Sequence, residues 1–155
     1  MDNNNLQWNK LTKLQLGKYA EYFVKMEFTK FGFDVYTAEV DEKGVDFVIQ
    51  KDNKYFDVQV KSRRQNNNYI YTEKTKFVLR DNLFLAVVLF AEGKEPEVLL
   101  IPSFEWKKKE LHPILVDRDY LEKKSNPEYG ININDKNIPF LRENYQFIKT
   151  LNRIK

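Results

Sequence analysis

Residues 56–61 read Phe-Asp-Val-Gln-Val-Lys, a strict alternation of apolar and polar side chains. In an extended chain this period of two sends Phe56, Val58 and Val60 to one face and Asp57, Gln59 and Lys61 to the other. A second apolar run, Val45 to Gln50, precedes it, headed by Gly44 and carrying Asp46 near its start. Asp52-Asn53-Lys54 between the runs reads as a hairpin connection. Two neighbouring strands therefore line up a carboxylate, an amide and an amine. Such a set can hold a divalent cation and a phosphate together. Further on, residues 83–90 (Leu-Phe-Leu-Ala-Val-Val-Leu-Phe) are uniformly apolar, as in a central strand covered on both faces.

The remaining elements arrange themselves around these strands. Thr12-Lys13-Leu14-Gln15 is a capping box. Leu16, Ala20, Phe23, Val24 and Phe31 then recur at helical spacing up to Gly32, which predicts a helix over 13–31. Glu21, one position from Ala20 and one turn from Gly17, falls at the margin of its buried face. Residues 33–37 alternate as a first strand, 41–44 form a turn, and 45–50 and 55–61 follow as strands two and three. A polar loop spans 65–68, and 69–71 is extended. Strands at 83–90 and 97–101 come next, then a short helix opening at Ser103. From Leu115 to Pro139 the signal is weak. Helical spacing returns over 138–151 (Phe140, Leu141, Tyr145, Ile148, Leu151). No internal repeat or linker interrupts the order, which predicts one α/β domain with a mixed sheet flanked by helices.

Composition narrows the function. A chain of 155 residues with 42% hydrophobic and 32% charged residues is long enough for one domain with a real core. No apolar run approaches the roughly 18 residues of a membrane span, and Met1-Asp2-Asn3-Asn4-Asn5 lacks the basic-then-apolar order of a signal peptide. With no cysteine, disulfides and thiolate zinc sites are excluded, which fits the cytoplasm. A single histidine, His112 between Leu111 and Pro113, excludes a multi-histidine metal site and reads as structural or solvent-exposed. The net charge of +3 permits a nucleic-acid partner. Lys107-Lys108-Lys109 reads as solvated surface. Lys61, Arg63 and Arg64, followed by Asn66, Asn67 and Asn68, adjoin the polar face and read as phosphate-contacting.

Cutting a phosphodiester needs a hydroxide source, an offset for the charge on the transferring phosphate, and alignment of the two. A carboxylate-bound Mg²⁺ supplies the first two, and a nearby ammonium orients the water and meets developing charge. Asp46 is the candidate metal ligand. Gln59 offers an amide oxygen beside the Val60 carbonyl, and Lys61 offers the ammonium. Glu21 reaches in from the helix, and Asp57 is a weaker candidate further from the strand end.

Glu21, Gly44-Val45-Asp46 and Gln59-Val60-Lys61 together resemble the PD-(D/E)xK nuclease superfamily, the restriction-endonuclease-like fold, in a Gln-x-Lys variant. The resemblance is good over 14–64 and looser to Ile101. It implies an αβββαβ core over about 12–102, with a C-terminal helical extension over about 103–155. It also implies Mg²⁺- or Mn²⁺-dependent phosphodiester hydrolysis and a DNA substrate. By position, Asp46 matches the metal-binding acid, Gln59 replaces the second acid, Lys61 matches the lysine and Glu21 matches the acid of the first helix. Residues 17–23 also look like the first helix of small bacterial members, in which a later strand ends in Ile-Pro-Ser, here 101–103. Val45 stands where the motif's name has proline. Gln59 removes one negative charge and weakens the hold on a cation, although branches similar to Mrr-type restriction enzymes and one homing-endonuclease group carry Gln-x-Lys.

The expected function is a small metal-dependent DNA endonuclease of restriction, defence or repair type. Glu21, Asp46, Gln59 and Lys61 would be catalytic. Arg63, Arg64, Asn66, Asn67 and Asn68 would lie on the nucleic-acid backbone, and a homodimer would cut both strands. The alternative is an inactive nucleic-acid- or partner-binding module of the same fold. A weaker third reading makes the C-terminal aromatics (Trp106, Tyr129, Tyr145 among them) a protein contact, although such residues are more often core.

Overall fold

In the computed structural model, which describes residues 5–37, 43–120 and 124–154, the chain enters its first helix through a reciprocal cap. Thr12 Oγ1 accepts the Gln15 N–H at 3.1 Å, and Gln15 Oε1 accepts the Thr12 N–H at 2.9 Å. The helix α1 (Lys13–Lys30) buries Leu16, Ala20, Val24 and Phe28, one per turn, and Gly32 turns the chain out at φ +86°.

Three antiparallel strands follow: β1 (Asp34–Thr37), β2 (Phe47–Lys51) and β3 (Lys54–Arg64). Asp52 and Asn53 join the last two with φ of 52° and 62°, the left-handed pair a two-residue hairpin loop requires. The expected turn at 41–44 lies partly outside the described residues. Next come β4 (Tyr69–Glu73), β5 (Leu83–Phe90) and β6 (Glu97–Pro102). β5 runs parallel to β3, β6 antiparallel to β5, and the main sheet has the order β1-β2-β3-β5-β6. Every residue of β5 is buried.

The mixed α/β sheet agrees with the sequence reading, but one connection differs. A helix was expected between the third and fourth core strands; this chain has β4 and a single 3-10 turn (Lys74–Lys76). Residues 69–72 alternate, with Ile70 and Thr72 buried and Tyr71 exposed, so the segment extends. β4 pairs with β8 (Glu128–Asn132), which pairs with β7 (Leu115–Arg118), in a second sheet ordered β4-β8-β7. The 115–139 region thus holds two strands, whose short apolar stretches give little signal. The expected 138–151 helix is two, α2 (Ile138–Tyr145) and α3 (Phe147–Arg153). They are separated at Gln146, whose extended ψ of 138° lets it bridge to Leu99.

Two apolar layers result. Phe47, Ile49, Val58, Phe84, Ala86, Val88 and Phe90 pack under α1 and α3. Leu83, Leu85, Val87, Leu89, Leu99 and Ile101 pack against the second sheet, α2 and Trp106. Among the described residues no helix is long and apolar enough to cross a membrane.

Candidate functional site

The site begins where β2 begins. Phe47 pairs with Val58, and one step earlier the Asp46 N–H donates to the Val58 carbonyl at 2.9 Å. The Asp46 carboxylate then accepts the Val60 N–H through Oδ2 at 2.7 Å. It takes the place of the strand residue that β2 no longer supplies. N–H and C=O of one strand residue point to the same side, so the Val60 carbonyl also faces this end of β2. Gly44, at φ +76°, makes the approach to Asp46. A Cβ there would collide with the Lys76 backbone carbonyl and stand 3.2 Å from Gln59 Nε2. Only glycine lets the chain pass this close.

The alternation in β3 holds. Phe56, Val58 and Val60 join the layer under α1, while the polar side chains turn to the second sheet. Gln59 is only 6% exposed, and its Oε1 accepts the Thr72 hydroxyl at 3.1 Å, which satisfies the buried amide oxygen. Lys61 is half-buried. Together with Lys13, Gln59, Asn67, Tyr71 and Lys76 it lines a groove of about 350 Å³ between β3 and β4. Asp57 pairs with Arg80 at 2.5 Å, a structural contact at the start of β3.

Glu21 sits half-buried on α1, 3.3 Å from Lys25 and 3.6 Å from Lys18. Lys25 in turn donates to Thr37 Oγ1 at 3.0 Å and lies 5.6 Å from the Phe47 ring centre. This places Glu21 toward the end of β1 and the start of β2, one cation removed from the residue that follows Asp46. The structure thus brings Asp46, Gln59 and Lys61 to the same end of the β2–β3 pair. Glu21 and Asp46 are not among the groove-lining residues. Among the described residues no three acidic or histidine side chains gather as a metal site.

The basic loop needs correction. Arg63 is 4% exposed and spends its guanidinium on the Asn67 and Ile133 carbonyls, at 2.8 and 3.1 Å. Burial pushes its pKa down, with Asp135 opposing. Arg64 donates to the Trp8 and Leu11 carbonyls at 3.3 and 2.6 Å. Both arginines tie chain segments together. For Arg63 the reason is the second sheet, which covers the polar face of β3 beyond Lys61; Arg64 lies on the opposite face, against Trp8 and Leu11. Asn66, Asn67 and Asn68 are exposed, and Asn67 reaches the groove. The sequence reading missed Thr72, Lys13, Tyr71 and Lys76. The alternation of 69–72 was the available signal for the β4 residues. His112 is exposed; of the C-terminal aromatics, Trp106, Tyr145 and Phe147 are buried, and Tyr129 and Phe140 pack partly buried against the core. A larger hollow, about 540 Å³ and lined by Phe31, Phe33, Phe56, Leu151 and Ile154 with Lys51, lies at the hairpin-turn end, away from Asp46.

No protein-family model and no curated protein matches the sequence. Solved structures do. Hjc, a Holliday junction resolvase of the archaeal hyperthermophile Archaeoglobus fulgidus, superposes with a TM-score of 0.50 at 14% identity, covering 80% of this chain and 88% of its own. A bacterial homing endonuclease superposes with a TM-score of 0.48 at 17% identity, over 80% and 78%. The likeness to the resolvase is one of fold. With a mixed five-stranded sheet and α1 against one face, this chain has the restriction-endonuclease-like fold.

Proposed function

We propose that this protein is a divalent-cation-dependent endonuclease that hydrolyses phosphodiester bonds in DNA. The observation that carries the reading is the Asp46 carboxylate held against Val60 at 2.7 Å, next to a strand that continues into Lys61. Its donor set suits Mg²⁺ or Mn²⁺: a carboxylate beside a main-chain carbonyl, with Glu21 on the neighbouring helix. Mg²⁺ commonly takes one or two carboxylates and completes its shell with waters and substrate oxygens. In this reading Asp46 and Glu21 hold the cation. Gln59 adds its amide oxygen, and Thr72 fixes the direction of that amide. When bound, the cation neutralises phosphate charge and acidifies a water. Lys61 orients that water and offsets charge on the phosphate.

The resolvase likeness makes branched DNA the first substrate to try. The expected result is cleavage of supercoiled, branched or single-stranded DNA with Mg²⁺ or Mn²⁺. Asp46→Ala and Lys61→Ala should each abolish it while the protein stays folded. Failure of the folded parent to cut any of the three overturns the reading. Cutting both strands of a duplex calls for two copies acting together.

A second reading, a non-catalytic nucleic-acid-binding module, is favoured by two contacts. Gln59 is buried against Thr72, and Glu21 is paired with Lys18 and Lys25. Binding that survives a chelator and tolerates Lys61→Ala, with no cleavage by the parent, would select it.

A further inference from the structure

We infer that the groove between β3 and β4 takes an unpaired strand of nucleic acid, with one base stacked on Tyr71. The inference rests on the nucleic-acid reading above but not on catalysis.

Tyr69 and Tyr71 stand two apart on β4, so their rings fall on one side of the strand. They stack, with centroids 6.1 Å apart and planes 21° apart. Tyr69 is fixed from both ends. Its hydroxyl donates to Glu128, and the Arg118 guanidinium lies 4.8 Å from its ring centre. Gly130 on β8 permits this, because a Cβ there would collide with the Tyr69 hydroxyl. Tyr71 thus stacks on a ring that is itself held in place by Glu128 and Arg118, and it is 53% exposed.

The same groove carries Lys13 from the start of α1, Lys61 from β3 and Lys76 after β4. Among the described residues that line it, three lysines face one carboxylate, Glu73. An electropositive track with an aromatic platform is the pattern of single-strand binding. Phosphates follow the cations, and any base can use the ring because every base has a π-face. A paired duplex has no free base face to offer, only edges in its grooves. At about 350 Å³ the space is the size of a small-molecule site. It accommodates a splayed base rather than a double helix.

The test is fluorescence anisotropy on the full chain in chelator, where nothing is cut. The probes are a labelled oligo(dT) of about 12 nucleotides and a duplex of the same length. The single strand should bind more tightly. Tyr71→Ala should weaken it roughly five- to tenfold or more, Tyr71→Phe should retain it, and duplex affinity should not move. Lys13→Gln and Lys76→Gln should weaken both probes and flatten the salt dependence. Parent-like binding by Tyr71→Ala, or a duplex bound as tightly as the single strand, overturns the inference. The two readings separate cleanly. Cleavage with a silent Tyr71→Ala removes only this inference, whereas Tyr71-dependent binding with no cleavage by the parent removes only the nuclease.

Discussion

The Asp46 carboxylate accepts the Val60 N–H at 2.7 Å, so one side chain closes the β2–β3 ladder and stands at the proposed metal position. The two roles separate by substitution. Asp46→Ala leaves a partly buried amide unpaired and should cost about 1–3 kcal/mol in urea denaturation. Asp46→Asn keeps an acceptor and should fold within about 1 kcal/mol of the parent. Both should cut DNA at less than about a hundredth of the parent rate, because the charge that holds the cation is gone. An Asp46→Asn protein that cuts normally would remove Asp46 from the chemistry.

Gly44 makes the second prediction. Its φ is +76°, and a Cβ would meet the Lys76 carbonyl and crowd the Gln59 amide. Gly44→Ala should therefore destabilise by roughly 1–3 kcal/mol or more, with the loss visible in the denaturation midpoint at unchanged slope. A neutral Gly44→Ala would mean that the 43–46 turn relaxes freely.

The Thr12–Gln15 cap, the hairpin and the buried strand β5 were all legible in the sequence because each is a local pattern. The faces of Gln59 and Lys61 were legible for the same reason, since strand alternation assigns them. Arg63 shows where this ends. Its face was predictable, but what covers that face depends on β4, β7 and β8, which come together from three distant segments. β7 has only Leu115 and Val116 as buried apolar residues, and β8 contains Gly130, which looks like a turn residue until Tyr69 is seen lying across it. The break between α2 and α3 was hidden too, because Gln146 leaves the helix to reach Leu99, a contact no helical spacing reports.

Arg63 itself is testable. With its guanidinium on two main-chain carbonyls and 4% exposure, Arg63→Ala strands two acceptors and opens space. A loss of roughly 2–4 kcal/mol in chemical denaturation follows. The slope of log affinity against log salt for DNA should not change, as Arg63 meets no phosphate. A shallower slope in folded Arg63→Ala would return it to the interface.

In the proposed nuclease, Gln59 stands where a carboxylate would complete the acid set. Gln59→Glu places that charge at a site 6% exposed, beside Thr72. Without divalent cation the variant should be less stable than the parent by about 1–3 kcal/mol. With Mn²⁺ or Mg²⁺ it should recover, and its thermal midpoint should rise further on cation addition than the parent's. An equal shift in both proteins would place the cation away from Gln59.

Tyr69 and Tyr145 give the pH dependence. Burial pushes both phenols above their ordinary value of 10.0, reinforced by the Glu128 hydrogen bond for Tyr69 and by Glu105 for Tyr145. In the unfolded chain each loses its proton near pH 10, whereas in the folded chain each keeps it to higher pH. Above pH 10 the folded state therefore binds more protons, and stability falls as pH rises. Below that value both states hold the proton, and these groups impose no slope. Denaturation midpoints should stay level for these groups up to about pH 9 and then drop. Tyr145→Phe removes one titrating group from the buried side of the second sheet and should make the drop shallower. The same slope in Tyr145→Phe and parent would show that Tyr145 ionises alike in the folded and unfolded chains.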